Sequence, residues 1–216
     1  MIVDNNAKSL EERVYFTLEE EILMGQHKRG DTLTENSLST RLGVSRTPIR
    51  GAFHRLSEEG LIEVIPNRGA VVIGVGREEL IDIYKIRMRL EGLASAEAAI
   101  KISEQDKERL RDSVELAEFY IKKQDAEKLK ELDSQFHSII YKASGNRLLY
   151  KTLSELHRKI HVYRKRSLAV PERLAASVME HREILSAIER GDVHEADRLT
   201  SAHIAAALEN LLSVVN

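Results

Sequence analysis

A chain of 216 residues, 42% hydrophobic and 31% charged, is long enough for one large or two modest domains and too apolar for a disordered chain. It has no cysteine, which excludes disulfides, thiolate metal sites and cysteine nucleophiles, and its formal net charge of −2 excludes a protein that coats nucleic acid by general charge. No stretch approaches the ~18 apolar residues of a membrane span. The opening MIVDNNAKSLEE lacks the apolar core of a secretion signal, so a cytoplasmic protein without a membrane partner is expected.

Eight of the 11 glycines fall in residues 1–76, and only Gly92, Gly145 and Gly191 lie beyond. The β-branched runs LIEVI (61–65) and AVVI (70–73) flank Pro66-Asn67-Arg68-Gly69 and read as a hairpin. Gly74-Val75-Gly76 reads as a junction, and the pattern after it is helical. The expected organisation is a mixed domain over 1–76 and an all-helical domain over 77–216.

In the first domain, Leu10, Val14, Phe16, Leu18, Ile22 and Leu23 set an amphipathic helix ended by Gly25. Thr32-Leu33-Thr34-Glu35 has capping-box spacing before a short second helix that stops at Gly43. Ser45 is positioned to cap a third helix running to Glu59. Helix, glycine-bearing turn, helix is helix-turn-helix spacing, and the hairpin after it reads as a wing.

On the third helix Ile49, Phe53 and Leu56 form the buried stripe, while Arg46, Thr47, Arg50 and His54 fan out beside it. Residues 41–57 hold four arginines and no carboxylate, although residues 1–75 as a whole count 9 Lys and Arg against 11 Asp and Glu. Arginine can fork onto guanine or clamp phosphate, and a helix N-terminus favours phosphate. Arg68 on the wing tip can reach a minor groove or the backbone. A solvated arginine face is the competing reading, and the turn and wing around it favour double-stranded DNA.

Leu33-Thr34-Glu35, Leu42-Gly43-Val44-Ser45-Arg46-Thr47-Pro48-Ile49-Arg50, Leu56, Glu59-Gly60-Leu61 and Asn67-Arg68-Gly69-Ala70 together resemble the winged helix of GntR-type bacterial regulators. The resemblance implies that Arg41, Ser45, Arg46, Thr47 and Arg50 contact an operator, with Arg68 and Gly69 on the wing. Gly51 departs from the family, which more often has glutamate there. A glycine inside a helix costs about 1 kcal/mol relative to alanine.

Six helices follow, at about 77–101, 104–123, 126–144, 147–168, 171–190 and 193–213, with Asp125, Gly145-Asn146, Pro171 and Gly191-Asp192 as boundary signals. Tyr84, Phe119, Tyr120, Phe136, Leu148, Leu149 and Tyr150 are expected in the core. Asp133 and His137 stand at i, i+4 on one helix face. His181 and His203 are equidistant from residue 192, so an antiparallel hairpin brings them to one level. One carboxylate and three imidazoles suit a divalent transition metal such as zinc, nickel or manganese. The rival pair His157 and His161 lies among Arg158, Lys159, Arg164, Lys165 and Arg166 and reads first as a polar helix face.

Residues 78–213 resemble the helical FCD effector domain of the FadR subgroup of that family, in its shorter, six-helix VanR-like branch. In metal-binding members the order is Asp-x-x-x-His, His, His, which Asp133, His137, His181 and His203 match. The resemblance also implies that Arg87 faces the cavity to meet an effector carboxylate, its other role being an ion pair, and that Asn146 belongs to the effector site.

The fold expected is therefore mainly α, a winged helix-turn-helix followed by an antiparallel six-helix bundle. The function expected is a homodimeric repressor, not an enzyme, that reads a pseudo-palindromic operator and responds to a small carboxylate held at a metal. The alternatives are a metal-dependent hydrolase or lyase using the same Asp/His set, and a regulator whose metal is structural or absent.

Overall fold

In the computed structural model, which describes residues 9–66, 68–161, 163–164 and 170–214, the first helix, α1 (Leu10–Leu23), opens with a reciprocal cap. Ser9 Oγ accepts from the Glu12 amide at 3.2 Å and Glu12 Oε2 accepts from the Ser9 amide at 3.0 Å. The short strand β1 (Thr32–Leu33) follows, then α2 (Glu35–Leu42), capped by Thr34 and closed by left-handed Gly43. Next come α3 (Arg46–Glu58), β2 (Ile62–Ile65) and β3 (Gly69–Val72).

The strands order β1-β3-β2, all antiparallel, with Leu33 opposite Ala70 and Val64 opposite Ala70 on the other side. The hairpin expectation holds, but β1 has no sequence signal because two residues carry no period. Its close approach explains Gly69: the residue sits at φ 103°, and a Cβ there would lie 2.2 Å from the Leu33 carbonyl oxygen. Asn67, in the turn, lies outside the described residues. Val14, Leu18 and Ile22 of α1 meet Ile49, Phe53 and Leu56 of α3 in one core that also takes Leu33, Ile62 and Val72.

A second compact unit begins at Leu80, the first ending at Glu79. Its helices are α4 (Arg77–Lys101, beginning within the first unit), α5 (Glu104–Lys123), α6 (Ala126–Ala143), α7 (Arg147–Lys159), α8 (Pro171–Glu189) and α9 (Val193–Val214). Ser103, Asp125 and Asn146 cap α5, α6 and α7 with their side chains. The helix expected over 147–168 ends at Lys159, with Ile160 as its C-cap. Residues 161, 163 and 164 are helical again, while Lys165 and Arg166 lie outside the described residues. No helix among the described residues is long and apolar enough to cross a membrane.

The bundle core joins Ala94 and Ala98 of α4, Leu110 and Val114 of α5, Phe136 and Ile140 of α6, Leu153 of α7, Leu185 and Ile188 of α8 and Ala196 of α9. Tyr84, Phe136 and Leu149 are buried as expected, whereas Phe119 (51% exposed), Leu148 (74%) and Tyr150 (42%) face outward. Helical spacing identifies an apolar stripe but not which of two adjacent residues turns inward: Leu149 is buried and its neighbours Leu148 and Tyr150 are not. The small residues of α4 bring it close to α9. Ser95 Oγ accepts from Thr200 Oγ1 at 2.7 Å, and a Cβ on Gly92 would fall 2.0 Å from Asp197 Oδ1. This approach sets Arg87 and Glu91, just below Gly92, against the level of His203.

Candidate functional site

In the first unit, the apolar stripe of α3 fixes which side chains turn outward. Ile49, Ala52, Phe53 and Leu56 are buried, and Arg46, Thr47 and Arg50 are exposed. Arg46, Arg50 and His54 share a groove with Glu35 at the start of α2 and with Arg68 and Gly69 of the wing. Ser45 caps α3 in position, but its hydroxyl makes no capping bond. Arg50 Nε donates to Glu35 at 2.8 Å and 2.9 Å while two-thirds of its side chain stays exposed.

Arg41 does not line that groove. Its guanidinium forks onto Glu21 of α1 at 2.6 Å and 2.7 Å, and Glu21 also meets His27. Burial alone would raise the Glu21 pKa, but Arg41 and His27 together bring it below its ordinary value. Gly51, the departure from the family pattern, lies beneath the Glu11 carboxylate, whose Cδ stands 2.2 Å from where a Cβ would be. The missing side chain makes room for an acidic group supplied by α1.

In the second unit, α6, α8 and α9 bring four donors together. Asp133, His137, His181 and His203 are all buried, and each offers one ligand atom within 4.8 Å of the others. His203 Nε2 is 3.3 Å from His137 Nε2 and 3.4 Å from His181 Nε2. Asp133 Oδ1 lies 3.9 Å from His137 Nε2 and 3.7 Å from His181 Nε2. An ion with ~2.1 Å bonds in tetrahedral geometry holds its donors about 3.4 Å apart, so the set fits a transition metal in size as well as in chemistry.

The far side of the imidazoles explains their orientation. His203 Nδ1 is 2.6 Å from Glu180 Oε2, and His137 Nδ1 is 2.9 Å from Glu91 Oε2. The Glu180 carboxylate on Nδ1 of His203 places the proton there and leaves its Nε2 lone pair directed at the shared centre, while Glu91 stands beside His137 as a close charge contact. His181 is held by stacking on Phe136, with ring centroids 3.9 Å apart and planes within 12°.

The electrostatics agree with neutral imidazoles at His181 and His203. Burial pushes the His181 pKa well below its usual value, reinforced by His203 and His137. Burial also lowers that of His203, with the Glu180 hydrogen bond opposing it. Burial would raise the acids, but His203 and Arg173 bring Glu180 down to about 2, and Arg87 and His137 hold Glu91 well below the carboxylate range.

Three arginines border this centre. Arg87 Nε donates to Glu91 Oε1 at 2.7 Å, so the intrahelical ion pair and the cavity position coexist, and its Nη1 has no acceptor among the described residues. Arg164 donates to Asp133 Oδ2. Arg173 forks onto Glu180 at 2.6 Å through both terminal nitrogens. These three and Ser177 line a small cavity of about 20 Å³ with Tyr84, Asp133, His137 and His203, close to the room one water needs.

Asn146 is not among the cavity residues. Its Oδ1 accepts from the Leu149 amide at 3.1 Å, so the structure gives it the role of capping α7. His157, read as part of a polar face, instead packs against α6, its ring 5.9 Å from that of His137 and its Nδ1 3.5 Å from the Tyr141 hydroxyl. Burial and Arg164 hold its pKa well below the usual value. Sequence reasoning missed Glu91, Glu180, Arg164 and Arg173. The i, i+4 spacing of Arg87 and Glu91 and the two-turn spacing of Arg173 and Glu180 were the only local signals for them.

Comparison with known proteins places both sites in context. Residues 10–72 match the family described as bacterial regulatory proteins, gntR family, and residues 82–206 match the FCD domain. The HTH-type transcriptional repressor RspR of Escherichia coli is 26% identical over 213 residues, covering 97% of this chain and 92% of that one. An HTH-type transcriptional regulator in an unstable DNA locus of Streptomyces ambofaciens is 30% identical, covering 97% and 88%. The solved structure of E. coli McbR/YncC superposes with a TM-score of 0.75 at 25% identity, covering 97% of this chain and all of that one.

Proposed function

The chain belongs to the GntR family of bacterial regulatory proteins, in its FCD-bearing branch, and from that premise we propose that it is a homodimeric, metal-dependent repressor responding to a small organic acid. Transcriptional regulation and DNA binding follow from the family, and with them the enzyme alternative falls away. The finer reading rests on one observation above all: three imidazole nitrogens and a carboxylate oxygen converge on one point, with Glu180 orienting the ring of His203.

Asp133, His137, His181 and His203 would hold the metal, with zinc, nickel and manganese as the candidates for this donor set. When bound, the ion supplies a Lewis-acidic position for a carboxylate oxygen. Arg87, with a donor that has no acceptor among the described residues, is set to bind that carboxylate from the side.

At the other end, Arg46, Arg50 and Arg68 bind the operator from α3 and the wing, Ser45 and Thr47 meet phosphate at the start of α3, and Arg41 and Gly69 flank them. Two copies related by a two-fold axis read a pseudo-palindromic site. Effector binding at the metal changes operator affinity by a coupling typically of 1–3 kcal/mol.

The test is operator binding by the metal-loaded protein, followed by fluorescence anisotropy across a panel of small carboxylates. At least one should shift the affinity about 5- to 150-fold. Identical affinity across the panel contradicts the effector reading.

A further inference from the structure

The reading face of α3 carries one step more, which rests on the operator reading above. Two arginines of the first unit meet carboxylates, and they differ in which nitrogens they spend. Arg41 uses both terminal nitrogens, Nη1 and Nη2, on Glu21, whose side chain is only 12% exposed. Its fork is occupied, and freeing it would strand a mostly buried carboxylate. Arg50 gives Glu35 its Nε alone, at 2.8 Å and 2.9 Å to the two oxygens. Among the described residues, no hydrogen bond takes its Nη1 or Nη2.

The acid is held from behind. Glu35 opens α2, whose start is fixed by Thr34 Oγ1 accepting from the Ser37 amide at 3.2 Å. The carboxylate is therefore presented from a fixed element to a side chain that is 67% exposed in the groove between α3 and the wing. An exposed arginine otherwise samples many rotamers, and their loss on binding costs affinity. Here the chain is tied at Nε and its terminal fork stays open.

Charge decides what that fork meets. Beside a carboxylate the guanidinium belongs to a pair without net charge, so its pull on a phosphate is largely cancelled, and the carboxylate repels one. Two parallel N–H donors remain. They match O6 and N7 of guanine, two acceptors that carry no net charge.

We propose that Glu35 is a positioning residue for operator recognition: it fixes the Arg50 guanidinium at Nε and so assigns the open fork to a guanine in the major groove. Glu35 itself touches no base. Each half-site carries a guanine whose recognition depends on both residues, while Arg41 ties α2 to α1.

The experiment is selection of duplexes from a random-sequence pool by the full-length protein and by Arg50→Ala, Glu35→Ala and Glu35→Gln. Fluorescence anisotropy on single-base variants of the selected duplex then gives the preference at each position. The unaltered protein should prefer guanine at one half-site position by about 5- to 150-fold, the range of a bidentate arginine contact. Arg50→Ala should lose that preference, and Glu35→Ala should lower it at least about threefold at the same position. Glu35→Gln keeps an oxygen for Nε without the charge and should fall between. Affinity for a duplex of unrelated sequence should not drop in either Glu35 variant, because no phosphate contact is lost.

An unchanged guanine preference in folded Glu35→Ala overturns the proposal and leaves the reading face intact. So does a change at a different position, which makes Glu35 a base contact in its own right. A uniform loss in Arg50→Ala over all sequences, with a salt slope lower by about 1, makes Arg50 a phosphate clamp and also overturns it. If Arg50→Ala alters neither preference nor affinity, the operator reading of that residue fails as well. Should Glu35→Ala not fold, Glu35→Gln decides, and a guanine preference equal to that of the unaltered protein overturns the proposal.

Discussion

Glu180 and His203 face each other across α8 and α9 with Oε2 2.6 Å from Nδ1, and Arg173 grips both oxygens of the same carboxylate. The acid therefore has a fixed position on the side of the imidazole away from the cluster. Replacing it with Glu180→Gln keeps the shape and removes the charge that favours a proton on Nδ1. Outer partners of this kind typically contribute 10- to 100-fold in metal affinity. Competition with a chelator should show a loss in that range, and unchanged affinity would remove Glu180 from the metal site.

The buried histidines make the stability of the metal-free protein depend on pH. Burial holds His181 and His203 below their unfolded value of about 6.5. Between the lowered values and 6.5 the unfolded chain binds more protons, so acid favours unfolding. Their contribution is complete above about pH 6.5 and declines as the pH falls below it. Glu180, brought from 4.5 to about 2, contributes fully above 4.5 and loses that contribution only as the pH falls toward 2. Melting of chelator-treated protein should thus weaken between pH 6.5 and 5 through the histidines alone. A flat profile there contradicts their burial as neutral groups.

On the DNA side, the double change Arg46→Ala and Arg50→Ala should abolish specific operator binding. A bidentate arginine–base contact is worth about 1–3 kcal/mol of discrimination. Both side chains are exposed, so circular dichroism should be unchanged. Retained operator affinity would move the reading surface elsewhere.

Gly69 separates packing from contact. A Cβ at φ 103° would lie 2.2 Å from a backbone oxygen that cannot swing away. Gly69→Ala should destabilise the first unit by about 1–3 kcal/mol, a melting shift of roughly 4–8 °C per kcal/mol for a domain of this size. The loss should appear without DNA. Unaltered melting with weakened operator binding would make Gly69 a contact residue only.

Much of this was legible in the sequence because it depends on local rules. The Gly25 and Gly43 stops mark the ends of α1 and α2, Thr34 caps the start of α2, and the arginine pattern on α3 follows from its apolar stripe. The convergence of His181 and His203 follows from their equal distance from the Gly191 turn. What was not legible depends on which helices meet. Glu180 touches His203 rather than its neighbour His181, and Arg164 reaches across to Asp133 of α6. β1 exists through its pairing with β3. None of these has a period or a motif to announce it.

The most direct measurement is metal content per chain, by elemental analysis of protein purified without a histidine tag or chelator, beside His203→Ala. The account predicts close to one equivalent of a divalent transition metal in the unaltered protein and its loss in the variant. No metal in either, even after zinc, nickel or manganese is supplied, would contradict it.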